Sequence, residues 1–150
     1  MRKSIAGFCF VFAMSVATVV AAEEVHVIAR GTQGLEAVPL RVENETARPV
    51  ACAASIAHWY SAPVGTAAAG GRLETRLWSK PATGEVLLLN AQEDQMPIQS
   101  LWCGYAGEDV STRSDIRLAR RAGTREPAID LICREAAGSP ALDCRRRGAQ

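Results

Sequence analysis

The residues that carry most enzyme chemistry are scarce in this sequence. Only two histidines occur among 150 residues, and a Ser-His-Asp hydrolase would need His26 or His58 as its general base. No serine lies in a G-x-S-x-G nucleophile elbow. The sequence also has no C-x-x-C pair, which is the motif of thiol–disulfide oxidoreductases. We therefore expect no catalytic centre.

Metal-binding motifs are lacking as well. The absence of C-x-x-C removes the close ligand pairs of a structural zinc site. A copper site could use imidazole and thioether ligands, and the candidates are His26, His58 and Met96. These three residues are isolated in the sequence and share no short-range spacing. We expect neither a metal nor a cofactor.

Aromatic residues make up 5% of the chain and are unevenly distributed. All three phenylalanines lie between residues 8 and 12, within an apolar N-terminal segment. The other rings lie in or just beyond the stretch from Cys52 to Cys103, and they are Trp59, Tyr60, Trp78, Trp102 and Tyr105. The rings of the exported protein should therefore cluster around one disulfide.

The N-terminal segment predicts export. Arg2 and Lys3 precede an uncharged run from Ser4 to Ala22, which ends in small residues before two glutamates. This pattern is typical of a signal peptide over residues 1–22. Cleavage would leave one domain, residues 23–150, in the periplasm or outside the cell, with no membrane span. The alternative is a retained anchor, because the run has about the minimum length for crossing a bilayer.

Charge argues against one class of function and indicates another. Loss of two basic residues with the signal changes the net charge from +1 to −1, which argues against a dedicated nucleic-acid binder. Residues 111–150 nevertheless hold nine arginines and five acids. Guanidinium groups bind carboxylates and phosphates, so Arg117, Arg120 and Arg121 are candidate binding residues. The alternative is a solvated charged surface.

Four cysteines remain after cleavage of the signal, and they are Cys52, Cys103, Cys133 and Cys144. An even number of cysteines in an exported chain indicates two disulfides. Three connectivities are possible. We favour Cys52–Cys103 with Cys133–Cys144, because the second pair closes a short loop that contains the turn sequence Gly138-Ser139-Pro140.

Alternation of apolar and polar residues predicts several strands. The apolar positions in phase are Val38, Leu40 and Val42, then Leu73, Thr75 and Leu77, and later Ile129, Leu131 and Cys133. The run from Val86 to Leu89 is continuously apolar, which is typical of a strand buried on both sides. Pro39 marks its strand as an edge strand or a strand start.

The run around Cys52 predicts an outward-facing tryptophan. In a single strand from Pro49 to Tyr60, successive side chains alternate between two faces. If Cys52 points to the core, Tyr60 shares its face and Trp59 lies on the opposite face.

The same reasoning applies to the run around Cys103. In a strand from Pro97 to Tyr105, Tyr105 shares the face of Cys103 and Trp102 lies on the other. An exposed tryptophan offers a large apolar area and one N–H donor. Trp59 and Trp102 are therefore candidate binding residues. The alternative is that both pack beneath loops or fill the ends of the sandwich.

Three further segments have local signals. Residues 63–71 are rich in alanine and glycine and are predicted to form a loop. Asn44-Glu45-Thr46 matches a glycosylation sequon, which we interpret as turn chemistry only. Thr112 and Asp115 could cap a short helix, or Ile116 and Leu118 could alternate in a strand.

Short strands at roughly 10–14-residue spacing predict an all-β single domain, either a β-sandwich or a small barrel. A bridge between Cys52 and Cys103 that joins two central strands favours an immunoglobulin-like sandwich. The tryptophan and tyrosine positions of antibody domains are not matched. The expectation therefore concerns the architecture and no particular family.

These features together predict a small exported, non-enzymatic protein that binds an envelope protein or glycan through a surface patch. One alternative is a periplasmic hydrolase inhibitor with residues 63–71 as its inhibitory loop. Another is a hydrolase that uses His58. The sequence does not indicate an oligomeric state.

Overall fold

A computed structural model describes residues 28–57 and 60–148. Over these residues the chain forms strands and turns and has no helix. The described residues therefore contain no helix that is long and apolar enough to cross a membrane. The ten strands are β1 (Glu36–Asn44), β2 (Val50–Ala57), β3 (Tyr60–Ala67), β4 (Arg72–Lys80), β5 (Glu85–Leu89), β6 (Gln95–Pro97), β7 (Ser100–Tyr105), β8 (Ser114–Ile116), β9 (Ile129–Glu135) and β10 (Leu142–Arg146). The all-β prediction is confirmed. The predicted signal peptide, His26, His58 and Trp59 lie outside the described residues.

The strands form two sheets. One has six strands in the order β10-β9-β1-β4-β5-β6, and the other has four in the order β3-β2-β7-β8. Paired strands are antiparallel except β1 and β9, which run parallel. Buried residues of both sheets belong to one hydrophobic cluster, which includes Leu40 of β1, Leu101 of β7 and Ile129 of β9.

The period-two patterns identify the main strands of the six-stranded sheet correctly. In β1, Val38, Leu40 and Val42 are buried, and the residues between them are partly or fully exposed. The same alternation holds in β9, and in β4 the inward positions change from half-buried Leu73 and Thr75 to buried Leu77. The apolar run in β5 is buried on both faces at three successive positions. Burial of each large apolar side chain contributes about 1.5–3 kcal/mol, which is why these patterns decide the strand register.

Pro39 does not mark an edge strand, because β1 lies between β9 and β4. Pairing of β1 with β9 begins only at Leu40, opposite Ile129. Pro39 therefore has a strand neighbour only on the β4 side, opposite Arg76. The missing N–H of proline is tolerated because the second neighbour has not yet begun.

The predicted single strand from Pro49 to Tyr60 is wrong. β2 ends at Ala57, and Tyr60 begins β3, which pairs antiparallel with β2. Alternation does not continue through a reversal of the chain, and Tyr60 is 52% exposed rather than directed to the core. Tyr105, by contrast, is buried as predicted.

The predicted loop over residues 63–71 is wrong for residues 63–67, which belong to β3, and correct for residues 68–71, which form the turn between β3 and β4. β3 is the edge of the four-stranded sheet, where a proline costs no hydrogen bond to a second neighbour. The register between β2 and β3 shifts at Val64, so that Pro63 and Gly65 face successive residues of β2. Such a bulge absorbs one extra residue. These residues are thus held in a sheet and do not form a free inhibitory loop.

The predicted strand from Pro97 to Tyr105 is divided between the two sheets. β6 ends at Pro97 in the six-stranded sheet, and β7 begins at Ser100 in the other. The crossing places Ile98 in the core cluster. Residues 114–116 form the strand β8, so the strand alternative for this region is correct and the capped helix is not.

Both predicted disulfides, Cys52–Cys103 and Cys133–Cys144, are present. Each joins residues directly opposite each other on adjacent antiparallel strands, with Cα atoms 4.0 Å apart. The bridge of an antibody domain instead spans its two sheets. The Cys52–Cys103 bridge therefore does not support the immunoglobulin-like expectation.

Candidate functional site: an arginine groove

Most arginines on the outer side of the six-stranded sheet are paired with carboxylates. The pairs are Arg41–Asp130 (3.1 Å), Arg72–Glu43 (3.2 Å), Arg147–Glu43, Arg134–Glu45 (2.6 Å) and Arg145–Asp143 (2.9 Å). These pairs lie at the surface, where solvent screens the attraction between the charges. Their main consequence is that neighbouring charges of this face cancel.

Glu43 is the most strongly paired acid of this face. Its carboxylate accepts hydrogen bonds from the guanidinium groups of Arg147 and Arg72. These bonds, that of Arg147 above all, hold the pKa of Glu43 below its ordinary value of 4.5. The two arginines are therefore occupied and offer little to an external anion.

A different set of arginines surrounds an open hollow beside β8, which we call the arginine groove. Its volume is about 370 Å³. The charged and polar side chains that line it are Gln99, Ser100, Arg113, Asp115, Arg117 and Arg120. Three arginines and one acid thus line the groove, which has an excess of positive charge.

The three arginines of the groove differ in how much of their hydrogen-bonding capacity is used. Arg113 Nε lies 3.3 Å from Asp115 Oδ1. Arg120 Nη2 donates to the backbone carbonyls of residues 98 and 99, both at 2.8 Å. Arg117 is exposed, and its side chain makes no ion pair or hydrogen bond within residues 28–57 and 60–148. Of the three arginines of the groove, Arg117 therefore has the most hydrogen-bond donors available to a ligand.

The structure brings Arg117 and Arg120 together but places Arg121 differently. Arg121 is exposed on the same segment and does not line the groove. Its backbone carbonyl accepts hydrogen bonds from the N–H and the hydroxyl of Thr124. Arg121 can therefore add to the charge of this side of the molecule, but it is not part of the groove.

The segment that carries these arginines is fixed by Glu126, whose role the sequence analysis missed. Glu126 is 3% exposed, and its carboxylate accepts the N–H groups of Ala119 and Arg120, each at 2.8 Å. Arg120 has a φ of 49° in the left-handed region. Two successive N–H groups directed at one anion form a backbone nest. The only sequence signal is that Glu126 is a lone acid in an arginine-rich stretch.

Further contacts hold the same segment against the six-stranded sheet. The N–H of Glu126 donates to Ser79 Oγ of β4 at 2.9 Å. Arg146 of β10 lies 3.7 Å from the Glu126 carboxylate and donates to the carbonyl of Arg117 at 3.0 Å. Gly84 packs so closely that an added Cβ would come within 2.7–2.9 Å of the backbone of residues 120–122. The groove is therefore built on a fixed backbone.

Trp102 is buried and not exposed at the surface. It lies on the face opposite Cys103, as alternation predicts, but it is only 3% exposed. Its indole N–H donates to Asp109 Oδ2 at 3.0 Å. Gly104 permits this approach, since an added Cβ would come within 2.3 Å of the Asp109 backbone. The alternative interpretation, in which Trp102 packs beneath a loop, describes its surroundings.

Within the two described ranges, no group of three histidine, cysteine or acidic side chains could hold a metal ion. The arginine groove itself offers guanidinium, amide and hydroxyl donors, which suit an oxyanion. Comparison of the chain with protein-family models, curated proteins and solved structures finds no match. What the fold and the groove define is an all-β, disulfide-bonded protein with a basic surface hollow.

Proposed function

We propose that the protein is a small exported, non-enzymatic binding protein that contacts an anionic envelope protein or glycan through the arginine groove. The observation that carries this proposal is the presence of three arginines and one acid around a single hollow, with the Arg117 side chain unpaired among the described residues. Guanidinium groups bind carboxylates and phosphates through directed, charge-assisted hydrogen bonds.

The proposed location is the periplasm or the exterior, after cleavage of residues 1–22. The two disulfides are consistent with an oxidising, exported compartment. We also propose that the two sheets pack as a β-sandwich, since the core cluster draws on both of them. The protein would then share with an immunoglobulin domain the packing of two sheets face to face, but not the position of the disulfide.

Binding to isolated envelopes tests the function. The purified, disulfide-bonded protein is sedimented with an envelope fraction at low and at high salt, because an electrostatic contact weakens with ionic strength. Arg117→Glu should reduce the bound fraction strongly. Arg76→Glu is the matched control, since Arg76 is exposed, lies over Trp78 and makes no ion pair among the described residues.

Two results would contradict the proposal. One is equal binding by wild type and Arg117→Glu. The other is turnover of generic ester, peptide or glycan substrates that His58→Ala abolishes, which would favour the hydrolase. If the bound partner were a periplasmic hydrolase whose activity is blocked on binding, the protein would be an inhibitor of that hydrolase.

A further inference from the structure

On the basis of this proposed function, we infer that the group bound in the arginine groove is a phosphoryl group. The charge of the groove favours a phosphoryl group. Arg113, Arg117 and Arg120 face a single acid, Asp115, so the lining has an excess of two positive charges. A phosphate carries about 1.5–2 negative charges near neutral pH, whereas a carboxylate carries one. The phosphoryl group therefore matches the excess more closely.

The number of free N–H donors in the groove also favours a phosphoryl group. An arginine has five N–H donors in a planar fork. Arg120 uses Nη2 for its two carbonyl contacts, and Nη1 and Nε are left. Arg113 uses Nε toward Asp115, and both of its terminal nitrogens are left. With the whole fork of Arg117, donors approach the hollow from three separate backbone positions.

The arrangement of the acceptor oxygens favours a phosphoryl group over a carboxylate. Donors that approach from three directions suit the three oxygens of a phosphoryl group, which are arranged tetrahedrally. The two oxygens of a carboxylate lie in one plane and suit a single guanidinium fork. Ser100 and Gln99 line the same hollow and add uncharged donors at its margin.

The backbone beneath the groove is already fixed in the free protein. Glu126 holds the N–H groups of Ala119 and Arg120, and Arg146 holds the carbonyl of Arg117. The backbone that carries two of the three arginines is thus fixed before any ligand arrives. A fixed site loses less conformational entropy on binding, which favours even a small ligand such as phosphate.

The test titrates the purified, disulfide-bonded protein with inorganic phosphate and, separately, with acetate, following backbone amide NMR shifts. Phosphate should give saturable shifts around residues 99–101 and 113–120, and acetate should bind more weakly. Arg117→Gln should weaken phosphate binding about tenfold, the loss of one charged donor pair. Arg76→Gln should leave it unchanged.

Vesicles separate the two sources of the phosphoryl group. Binding to phosphatidylcholine vesicles only when phosphatidic acid, whose headgroup is a phosphomonoester, is added would support a lipid headgroup as the source. Binding of inorganic phosphate without vesicle binding would support a phosphate that is not carried by a lipid, such as one on the proposed protein or glycan partner. In either case Arg117→Gln should weaken binding relative to Arg76→Gln.

The inference is overturned if phosphate gives no saturable shift, if acetate binds as tightly as phosphate, or if Arg117→Gln binds phosphate like wild type. These failures differ from failure of the proposed function. Equal acetate binding together with Arg117-dependent binding to envelopes would leave the function standing with a carboxylate-bearing partner. Loss of envelope binding with intact phosphate binding would contradict the function alone.

Discussion

A single buried amide closes the turn after β1. Asn44 Nδ2 donates to the carbonyls of Arg48 and Ala68 at 2.7 and 2.8 Å, and Oδ1 accepts the N–H and the hydroxyl of Thr46. Asn44 is 1% exposed, and a buried amide must have its polar atoms bonded. This network explains why an asparagine is needed here, and it is consistent with the interpretation of the sequon as turn chemistry.

Glu43 makes stability depend on pH. Its pKa is lowered in the folded protein, first by the hydrogen bond from Arg147 and then by that from Arg72. The unfolded chain therefore binds more protons than the folded one near the ordinary value of 4.5. The stabilisation is present above that pH and is lost as the pH falls through the lower, folded-state pKa.

Replacing Glu43 should remove this part of the pH dependence. We expect Glu43→Gln to show a smaller drop in the urea midpoint than wild type between about pH 6 and about pH 3. Glu74→Gln is the control, because Glu74 lies on the same face without an ion pair among the described residues. A drop in Glu43→Gln as large as in wild type would show that the two arginine contacts do not matter in solution.

At the scale of the element, the Glu126 carboxylate is a central contact of the segment of residues 117–126. Glu126→Gln keeps the shape of the side chain but presents an amide N–H₂ to one of the two backbone N–H groups. One buried donor is then unsatisfied, which costs about 1–3 kcal/mol. We expect this loss in urea unfolding, together with faster hydrogen exchange at Ala119 and Arg120.

Glu36→Gln is the matched control for that change. Glu36 is exposed and lies 3.9 Å from Arg125, so the same substitution should change the stability by less than about 0.5 kcal/mol. If Glu126→Gln were equally mild and exchange at Ala119 stayed slow, the carboxylate would not be what fixes the segment.

The elements that the sequence predicts well are those decided by burial alone. Alternation locates β1, β4 and β9 because each has one face in the core. It misplaces Tyr60, because β2 ends at Ala57 and Tyr60 begins the antiparallel strand β3, with no glycine or proline in the sequence between them. It also misses β3 as a strand, since Pro63 and Gly65 suggest a loop unless the bulge and the edge position are known.

The arginine groove was only partly predictable, for a related reason. The excess of arginine after residue 111 indicates a basic surface, and Arg117 and Arg120 do line one hollow. Strand register decides which arginines lie beside an acid, and the amino-acid composition does not reveal the register. Glu126 is hidden from sequence analysis because its principal partners are backbone N–H groups, which every residue type except proline supplies.

At the scale of the whole molecule, β10 connects the two sheets. It belongs to the six-stranded sheet, yet the N–H of Cys144 donates to Ser114 Oγ in β8 at 2.9 Å. The N–H of Leu142 donates to the carbonyl of Thr112 at 2.8 Å. The groove therefore lies beside a junction of both sheets, and its geometry depends on the C-terminal strand.

The two disulfides should stabilise this molecule unequally, because they close loops of different length in the unfolded chain. Cys52–Cys103 spans 51 residues and Cys133–Cys144 spans 11, for which loop-closure entropy gives about 4 and about 3 kcal/mol. Urea unfolding of the paired variants, Cys52→Ala with Cys103→Ala and Cys133→Ala with Cys144→Ala, measures both. A larger loss from the short loop would contradict this order and would mean that holding β10 at the junction outweighs the entropy of the unfolded chain.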